Sequence, residues 1–353
     1  MTSPKAPKGR GVGENPKGRF ERIEIEPDPD LDPEEQPQPQ TWFLEDHSRS
    51  VISYNQSPDV PFDASLNPYR GCEHGCSYCY ARPFHEYLGF SAGLDFETRI
   101  VVKKDAPELL RRELLAKKWK PQLLGLSGVT DAYQPVERKL GITRACLEVL
   151  VEFRNPVTVV TKNHLVTRDA DLLAQLAHHG AASVAISITS LDADLARRLE
   201  PRASHPRRRL AALETLAQAN VSCGVLIAPV IPGLNDHEVP AILEAVAEAG
   251  AHFAGYAMLR LPQGVEDLFV SWLEQYVPAR KERVLQRLRE MRGGRLHDPR
   301  FGRRMRGQGV YAEQIRHLFH VNRERLGLAA RGSKLSIDAF RRPGDQLTLF
   351  GND

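Results

Sequence analysis

No stretch of this sequence is apolar for long enough to cross a membrane, and Met1–Arg22 lacks the apolar core of a signal peptide. These absences point to a cytoplasmic protein with no membrane partner. Cysteine is scarce too. Five residues, three of them crowded into positions 72–79, are too few and too bunched for the disulfide framework of a secreted domain. Cys146 and Cys223 stand alone in apolar stretches, as small buried hydrophobes do. No internal repeat is evident. The chain has 353 residues, 41% hydrophobic and 26% charged, enough for one large catalytic domain with appendages or for two domains.

Net charge is only +3, but it is unevenly placed. Arg280–Arg331 holds fourteen arginines and one lysine against five acids, so that stretch alone carries +10. Charge separated in this way points to local contact with a polyanion, nucleic acid first among the candidates. Arginine suits phosphate, and Phe301, Tyr311 and Phe319 are available for base stacking. A solvated, salt-bridged helical face is the competing reading.

Composition divides the chain into four parts. Residues 1–41, rich in Pro, Gly and charge, are expected to form a disordered arm and linker. Residues 42–262 alternate short apolar runs with amphipathic stretches. The apolar runs are Leu123–Leu126, Val157–Thr161, Ser183–Ile188, Val221–Ala228 and His252–Leu259, with Ser65–Arg70 as a first strand. Six strands with helices between them predict an α/β fold, a partial (β/α)6 TIM-type barrel whose chemistry collects at the carboxyl ends of the strands. Residues 263–331 are expected to be a basic helical extension. Residues 332–353 are expected to be a flexible tail.

The chemistry-bearing motif follows the first strand. Cys72, Cys76 and Cys79 have the spacing C-x3-C-x2-C within Asn67–Tyr80. Thiolates are soft ligands that suit iron–sulfur clusters and zinc. Three ligands leave one iron of a four-iron cubane open, and an open metal position is where a substrate binds. The alternative is a zinc site completed by His74 or His85, although zinc sites usually pair two close cysteines with a distant second pair.

The triad resembles that of the radical S-adenosylmethionine (SAM) superfamily, with Tyr78 as the aromatic residue before the third cysteine. The resemblance implies one [4Fe–4S] cluster on Cys72, Cys76 and Cys79, and SAM chelated at the open iron. Reductive cleavage then yields a 5′-deoxyadenosyl radical that abstracts hydrogen from substrate. An external electron donor such as flavodoxin or ferredoxin is also implied. Over about Asn67–Leu261 the chain is most similar to the spore photoproduct lyase branch. Ser127-Gly128-Val129-Thr130-Asp131 looks like that branch's SAM-contacting turn, which implies roles for Ser127, Gly128 and Asp131. By the same resemblance Lys162 contacts the SAM carboxylate, Ser187 and Glu200 bind SAM, and the Ala228 backbone meets adenine. Arg202 is a weaker candidate for the carboxylate. Asn235 and Asp236 read as a turn and helix cap. Tyr78 and Tyr80 match tyrosines near the radical path and are the candidate hydrogen donors, packing being the alternative. One departure matters: where the lyase carries a hydrogen-returning cysteine, this chain has Gly128. The resemblance therefore implies uncharacterised bacterial relatives of the lyase rather than the lyase itself.

The expected function is radical SAM chemistry on nucleic acid, in the manner of DNA repair. The alternatives are radical modification of RNA, protein or a small metabolite, or a non-enzymatic iron–sulfur adaptor. The terminal Gln346–Phe350, QLTLF, resembles the peptide by which bacterial repair proteins bind the sliding clamp, so the clamp is a further expected partner.

Overall fold

A computed structural model describes residues 5–20 and 39–344. Its centre is a run of six parallel strands, β1 (Ala64–Leu66), β2 (Leu124–Leu126), β3 (Val157–Thr161), β4 (Ala182–Ser187), β5 (Ser222–Val230) and β6 (Phe253–Met258). Each pairs with the next in chain order. Ile52–Tyr54 adds an antiparallel edge outside β1. This is the partial (β/α)6 barrel that the alternation predicts. The expected first strand, however, splits at Pro68, which has no N–H for a ladder. Ala64–Leu66 stays in the barrel, while Tyr69–Arg70 pairs with Arg99–Val102 in a small separate sheet that also holds Trp42–Glu45. The cysteine loop therefore leaves the barrel at the carboxyl end of β1.

Helices cover the outside: α1 (Ala106–Leu115), α2 (Ile142–Phe153), α3 (Ala170–Ala177), α4 (Pro206–Gln218) and α5 (Val239–Glu248). Each buries a stripe at helical spacing, for example Leu172, Leu173 and Leu176 of α3 or Ile242, Leu243 and Val246 of α5. Pro206 opens α4 where its missing N–H costs nothing, and the His205 ring accepts the Arg207 N–H at 3.2 Å as the cap. Cys146 and Cys223 are wholly buried in this core.

Two flanking segments differ from expectation. Residues 5–20, assigned by composition to a disordered arm, lie against the cysteine loop. The Arg10 guanidinium donates to the Glu97 carbonyl at 3.0 Å, and the Gly11 N–H donates to the Glu97 carboxylate at 3.0 Å. A Cβ on Gly11 would sit 1.7 Å from the Gly75 carbonyl oxygen, so only glycine lets the two backbones pass. Composition misses this because the contacts are polar and backbone-mediated rather than apolar and periodic. The start of the tail is held as well. Ala329 bridges to the beginning of β6, Ser336 N–H donates to the Gly180 carbonyl at 3.0 Å, and Arg341 N–H donates to the Phe153 carbonyl at 2.9 Å. Residues 329–342 thus run along the amino-terminal rim of the barrel. The Gln346–Phe350 peptide lies outside the described residues.

The extension is helical: α6 (Glu266–Tyr276), α7 (Pro278–Met291) and α8 (Val310–Arg325). Phe269, Trp272 and Leu285 share an apolar cluster with Cys76, Tyr78 and Leu199, so α6 and α7 brace the cysteine loop. Many of its arginines are paired, Arg287 with Glu290, Arg316 with Glu313 and Arg325 with Glu244 among them. The salt-bridged reading of this stretch therefore holds for its helices. No helix among the described residues is long and apolar enough to cross a membrane.

Candidate active site

Cys72, Cys76 and Cys79 are free thiols on one loop, Cys72 and Cys76 buried and Cys79 partly so. Buried polar partners hold the loop on every side. Arg82, fully buried, donates to the Cys76 carbonyl from Nε at 3.1 Å and from Nη2 at 2.9 Å, and pairs with Glu97 at 2.5 Å. Gln134 accepts the Glu73 N–H at 2.9 Å and donates to the Gly71 carbonyl at 3.1 Å. Arg202 pairs with Glu73 at 2.9 Å. It thereby ties α4's leading segment to the cysteine loop.

The donor set fits a cluster better than a zinc ion. His74, one possible fourth zinc ligand, has both ring nitrogens engaged, Nδ1 with Asp131 at 3.3 Å and Nε2 facing the Asn163 amide at 3.4 Å. Burial alone would lower the His74 imidazole, but the Asp131 carboxylate and the neighbouring Cys72 sulfur raise it to about 10. His85 is packed against Phe90 and Phe96. Burial pushes the Cys76 and Cys79 thiols up, and nearby Glu200 raises Cys76 further. Thiolates in such surroundings need a bound metal, which deprotonates a coordinating thiol outright. Three cysteine sulfurs with no fourth thiol on the loop are what a [4Fe–4S] cluster with one open iron requires, and His85, whose Nε2 is buried without a partner, is the imidazole that a zinc site would need.

Beside the loop, four of the predicted SAM-binding residues meet. Lys162 follows β3, Ser187 ends β4, Ala228 lies in β5, and Glu200 follows the helix Ala193–Leu199. Lys162 Nζ donates to Ser187 Oγ at 2.8 Å and lies 4.0 Å from the Glu200 carboxylate. Ser187 Oγ donates to the Ala228 carbonyl at 3.1 Å. Their spacing in sequence is wide, but parallel strands in register bring their carboxyl ends together. Glu200 is 2% exposed, which would push its carboxyl up, yet Arg209 and Lys162 hold it down at about 2. Tyr78 and Thr189 both donate hydroxyl hydrogen bonds to Glu200, that from Thr189 at 2.5 Å.

The turn after β2 is tied into the protein by its own hydrogen bonds. Asp131 accepts from Thr161 Oγ1, Lys162 N–H and Tyr133 N–H, each at 2.8 Å, besides His74. Both of its oxygens accept from protein donors, and it ties the cysteine loop to the end of β3. Ser127 adopts a left-handed backbone with φ of 78°, and its Oγ accepts the Ala132 N–H at 2.8 Å. Gly128 has Ser65 beneath it, and its carbonyl accepts the Tyr80 hydroxyl at 3.0 Å. No thiol lies in this turn, and Cys146 is shut inside α2. The two tyrosines divide: Tyr78 is buried on Glu200, whereas Tyr80 is 41% exposed on the rim. Asn235 accepts the Ile231 N–H and donates to the Thr189 and Pro229 carbonyls, tying the turn after β5, and its side chain does not cap the short helix that follows.

Sequence reasoning missed Arg82, Thr189, Arg209 and Gln134. Thr189 had a signal, since it stands two residues beyond Ser187, and strand alternation points both the same way. Arg209 was hidden in the run Arg202–Arg209. Its Nη1 donates to the Ser187 carbonyl at 3.0 Å, and its Nη2 pairs with Glu200.

A profile of the radical SAM superfamily matches residues 66–246, just over half the chain. The chain belongs to the radical SAM superfamily. Relatives include an uncharacterized protein of Mycobacterium tuberculosis, 35% identical over 234 residues, which are 66% of this chain and 68% of that protein. An uncharacterized protein of Methanocaldococcus jannaschii is 29% identical over 213 residues, 60% of this chain and 76% of its own length. In fold, this radical SAM chain is similar to spore photoproduct lyase complexed with dinucleoside spore photoproduct. That likeness has a TM-score of 0.57 at 16% identity and covers 81% of this chain and 80% of the other. A mutant of the lyase with bound AdoMet and the same dinucleoside gives 0.53 at 16% identity, again covering 81% of this chain and 80% of the other.

Proposed function

We propose that this radical SAM enzyme takes a hydrogen atom from a nucleic-acid substrate, DNA before RNA. When bound, the cluster and SAM supply the radical chemistry, and the chain supplies placement and charge. Cys72, Cys76 and Cys79 would hold the cluster. Lys162 offers an ammonium to the SAM carboxylate, and Glu200, kept ionised by Arg209, offers a carboxylate to the SAM amino group. Ala228 offers a backbone carbonyl. The buried Tyr78–Thr189–Glu200 contacts keep these groups from relaxing between turnovers. Tyr80, on the rim with its hydroxyl toward Gly128, is the tyrosine placed to meet substrate.

The observation that carries the substrate reading is the surplus of cations at the barrel mouth. Arg260 leaves the end of β6 and sits 5.0 Å from the Tyr80 ring. The similar fold of spore photoproduct lyase was determined with a dinucleoside, a ligand of nucleoside chemistry, which agrees with that reading. The missing thiol near Gly128 argues against the lyase's own hydrogen return.

The test is isotopic. Reduced, cluster-loaded protein is incubated with SAM and uniformly deuterated DNA, RNA or peptide, and the 5′-deoxyadenosine is weighed by mass spectrometry. Deuterium gained from DNA supports the proposal. Deuterium gained only from RNA or only from peptide removes DNA as the substrate, and no 5′-deoxyadenosine with any substrate removes the activity.

A further inference from the structure

The segment that joins α7 to α8 crosses the carboxyl end of β6. Met258 N–H donates to the Met305 carbonyl at 2.9 Å, which seats the segment at the mouth of the barrel. Beneath it lies a group of cationic and imidazole side chains with too few acceptors. Arg292 is 4% exposed. Its Nη2 donates to the Leu259 carbonyl at 2.6 Å and the Arg304 carbonyl at 3.0 Å, but Nε and Nη1 have no partner. Arg260 Nε has none either, and its Nη1 meets only the weakly accepting Met305 sulfur at 3.8 Å. His297 Nδ1 is a fourth buried atom in want of a partner. Among the described residues, four of the ten buried unpartnered side-chain atoms belong to these three side chains.

The two acids nearby are already taken. Asp298 binds the Arg300 side chain at 2.8 Å and the Arg300 N–H at 3.0 Å. Asp59 pairs with Arg304 at 2.5 Å and accepts the Gly302 N–H at 2.9 Å. Burial, with Arg304 adding to it, lowers the Arg260 guanidinium pKa against the pull of Tyr80 and Asp59. Burial with Arg260 lowers that of Arg292 against the pull of Asp298, and burial with Arg292 and Arg260 brings His297 to about 4. Buried donors without acceptors are costly, and buried charge without a counter-charge more so. An anion would supply both the acceptors and the counter-charge that this group lacks. Guanidinium N–H groups spread in a plane suit a phosphate oxyanion with several acceptor oxygens. Phe301 stands alongside, 55% exposed, with the Arg304 guanidinium 4.3 Å from its ring. An exposed aromatic ring next to a phosphate site is a stacking face for an unpaired base.

We infer that Arg260, Arg292 and His297 form an oxyanion site at the barrel mouth that takes one backbone phosphate of the substrate strand, with Phe301 stacking on the adjoining base. The inference rests on the nucleic-acid reading above and gives it an address. It places the phosphate beside Tyr80, at the rim of the SAM pocket, so that the strand is gripped where a nucleotide can reach the radical.

The test uses the full-length, cluster-loaded protein and Arg260→Met. Arg292 also props two backbone carbonyls, so its variants are left aside. The probe is a six-nucleotide single strand of DNA, natural or with one phosphate at a time replaced by an uncharged methylphosphonate. Binding is read by fluorescence anisotropy across a salt series. Arg260→Met should bind about tenfold more weakly and lose about 0.7 from the salt slope, the share of one phosphate contact on a single strand. One methylphosphonate position should weaken wild type about tenfold and leave Arg260→Met unchanged, because the contact it removes is already gone. Wild-type affinity and slope in Arg260→Met, or equal methylphosphonate losses in both proteins, would overturn the site. Inorganic phosphate separates the two proposals. If wild type binds no strand but phosphate raises its Tm and not that of Arg260→Met, the oxyanion site stands and the nucleic-acid reading falls. Equal Tm shifts in both proteins overturn the site whatever the strand does.

Discussion

Two buried groups of charge sit at the same end of the barrel and are completed in different ways. Around Glu200 the accounts close within the chain: Arg209, Tyr78 and Thr189 bond the carboxylate, and Lys162 stands 4.0 Å away. Around Arg292 they do not close, and buried N–H groups are left without acceptors. A self-satisfied network is a scaffold that holds its shape before any ligand arrives. An unsatisfied one of a single sign is waiting for the opposite sign. Under the proposed function the first group serves a cofactor of constant shape and the second a substrate that comes and goes.

The largest expected effect lies between these two groups, at the cysteine loop that both flank. Changing Cys72, Cys76 or Cys79 to Ala should reduce iron after anaerobic reconstitution from about four per chain to near none. Cys146→Ala and Cys223→Ala should leave it unchanged, since both thiols are buried in the core. Iron analysis and visible absorbance decide this. Stoichiometric zinc without iron in the wild type would refute the cluster.

The comparison itself breaks on a matched pair of substitutions. Arg209→Met strands the Glu200 carboxylate in the core and should cost about 3–5 kcal/mol. Arg260→Met removes a cation that has no carboxylate partner and should leave Tm the same or higher. Equal losses in thermal unfolding would erase the distinction drawn here. Acidity sharpens it. Glu200 has a folded pKa of about 2, below its unfolded value of 4.5. Its contribution is therefore complete above pH 4.5 and is lost as pH falls through about 2. Arg209→Met takes away the main charge that holds this pKa down, so its acid-unfolding midpoint should move to higher pH. An unmoved midpoint would assign the depression elsewhere.

A smaller effect is expected inside the satisfied group. Lys162→Ala and Ser187→Ala should weaken SAM binding, the former by about tenfold or more, the range of one charge-assisted hydrogen bond. Cluster assembly should persist, because neither residue hydrogen-bonds the cysteine loop. Calorimetry on the reconstituted protein measures both. Unchanged SAM affinity in the two variants would place the cofactor elsewhere.

The sequence alone determined the elements and the ligands. Alternating apolar runs and amphipathic stretches settle the (β/α)6 barrel, because burial on both faces of a parallel sheet forces that pattern. Three cysteines within positions 72–79 mark the candidate metal-binding loop, because a loop so short places its own side chains together. Lys162, Ser187, Glu200 and Ala228 were found by resemblance to a family, and local pattern does not single them out. Tertiary structure alone decided which charges are partnered. Arg202 and Arg209 stand in one run, yet one holds Glu73 on the cysteine loop and the other holds Glu200 in the pocket. Arg287 and Arg292 stand in another, the first paired with Glu290 and the second buried with orphaned N–H groups. A charge's energy depends on its distance to the opposite sign and on the burial around it, and both are set by segments far away in the chain.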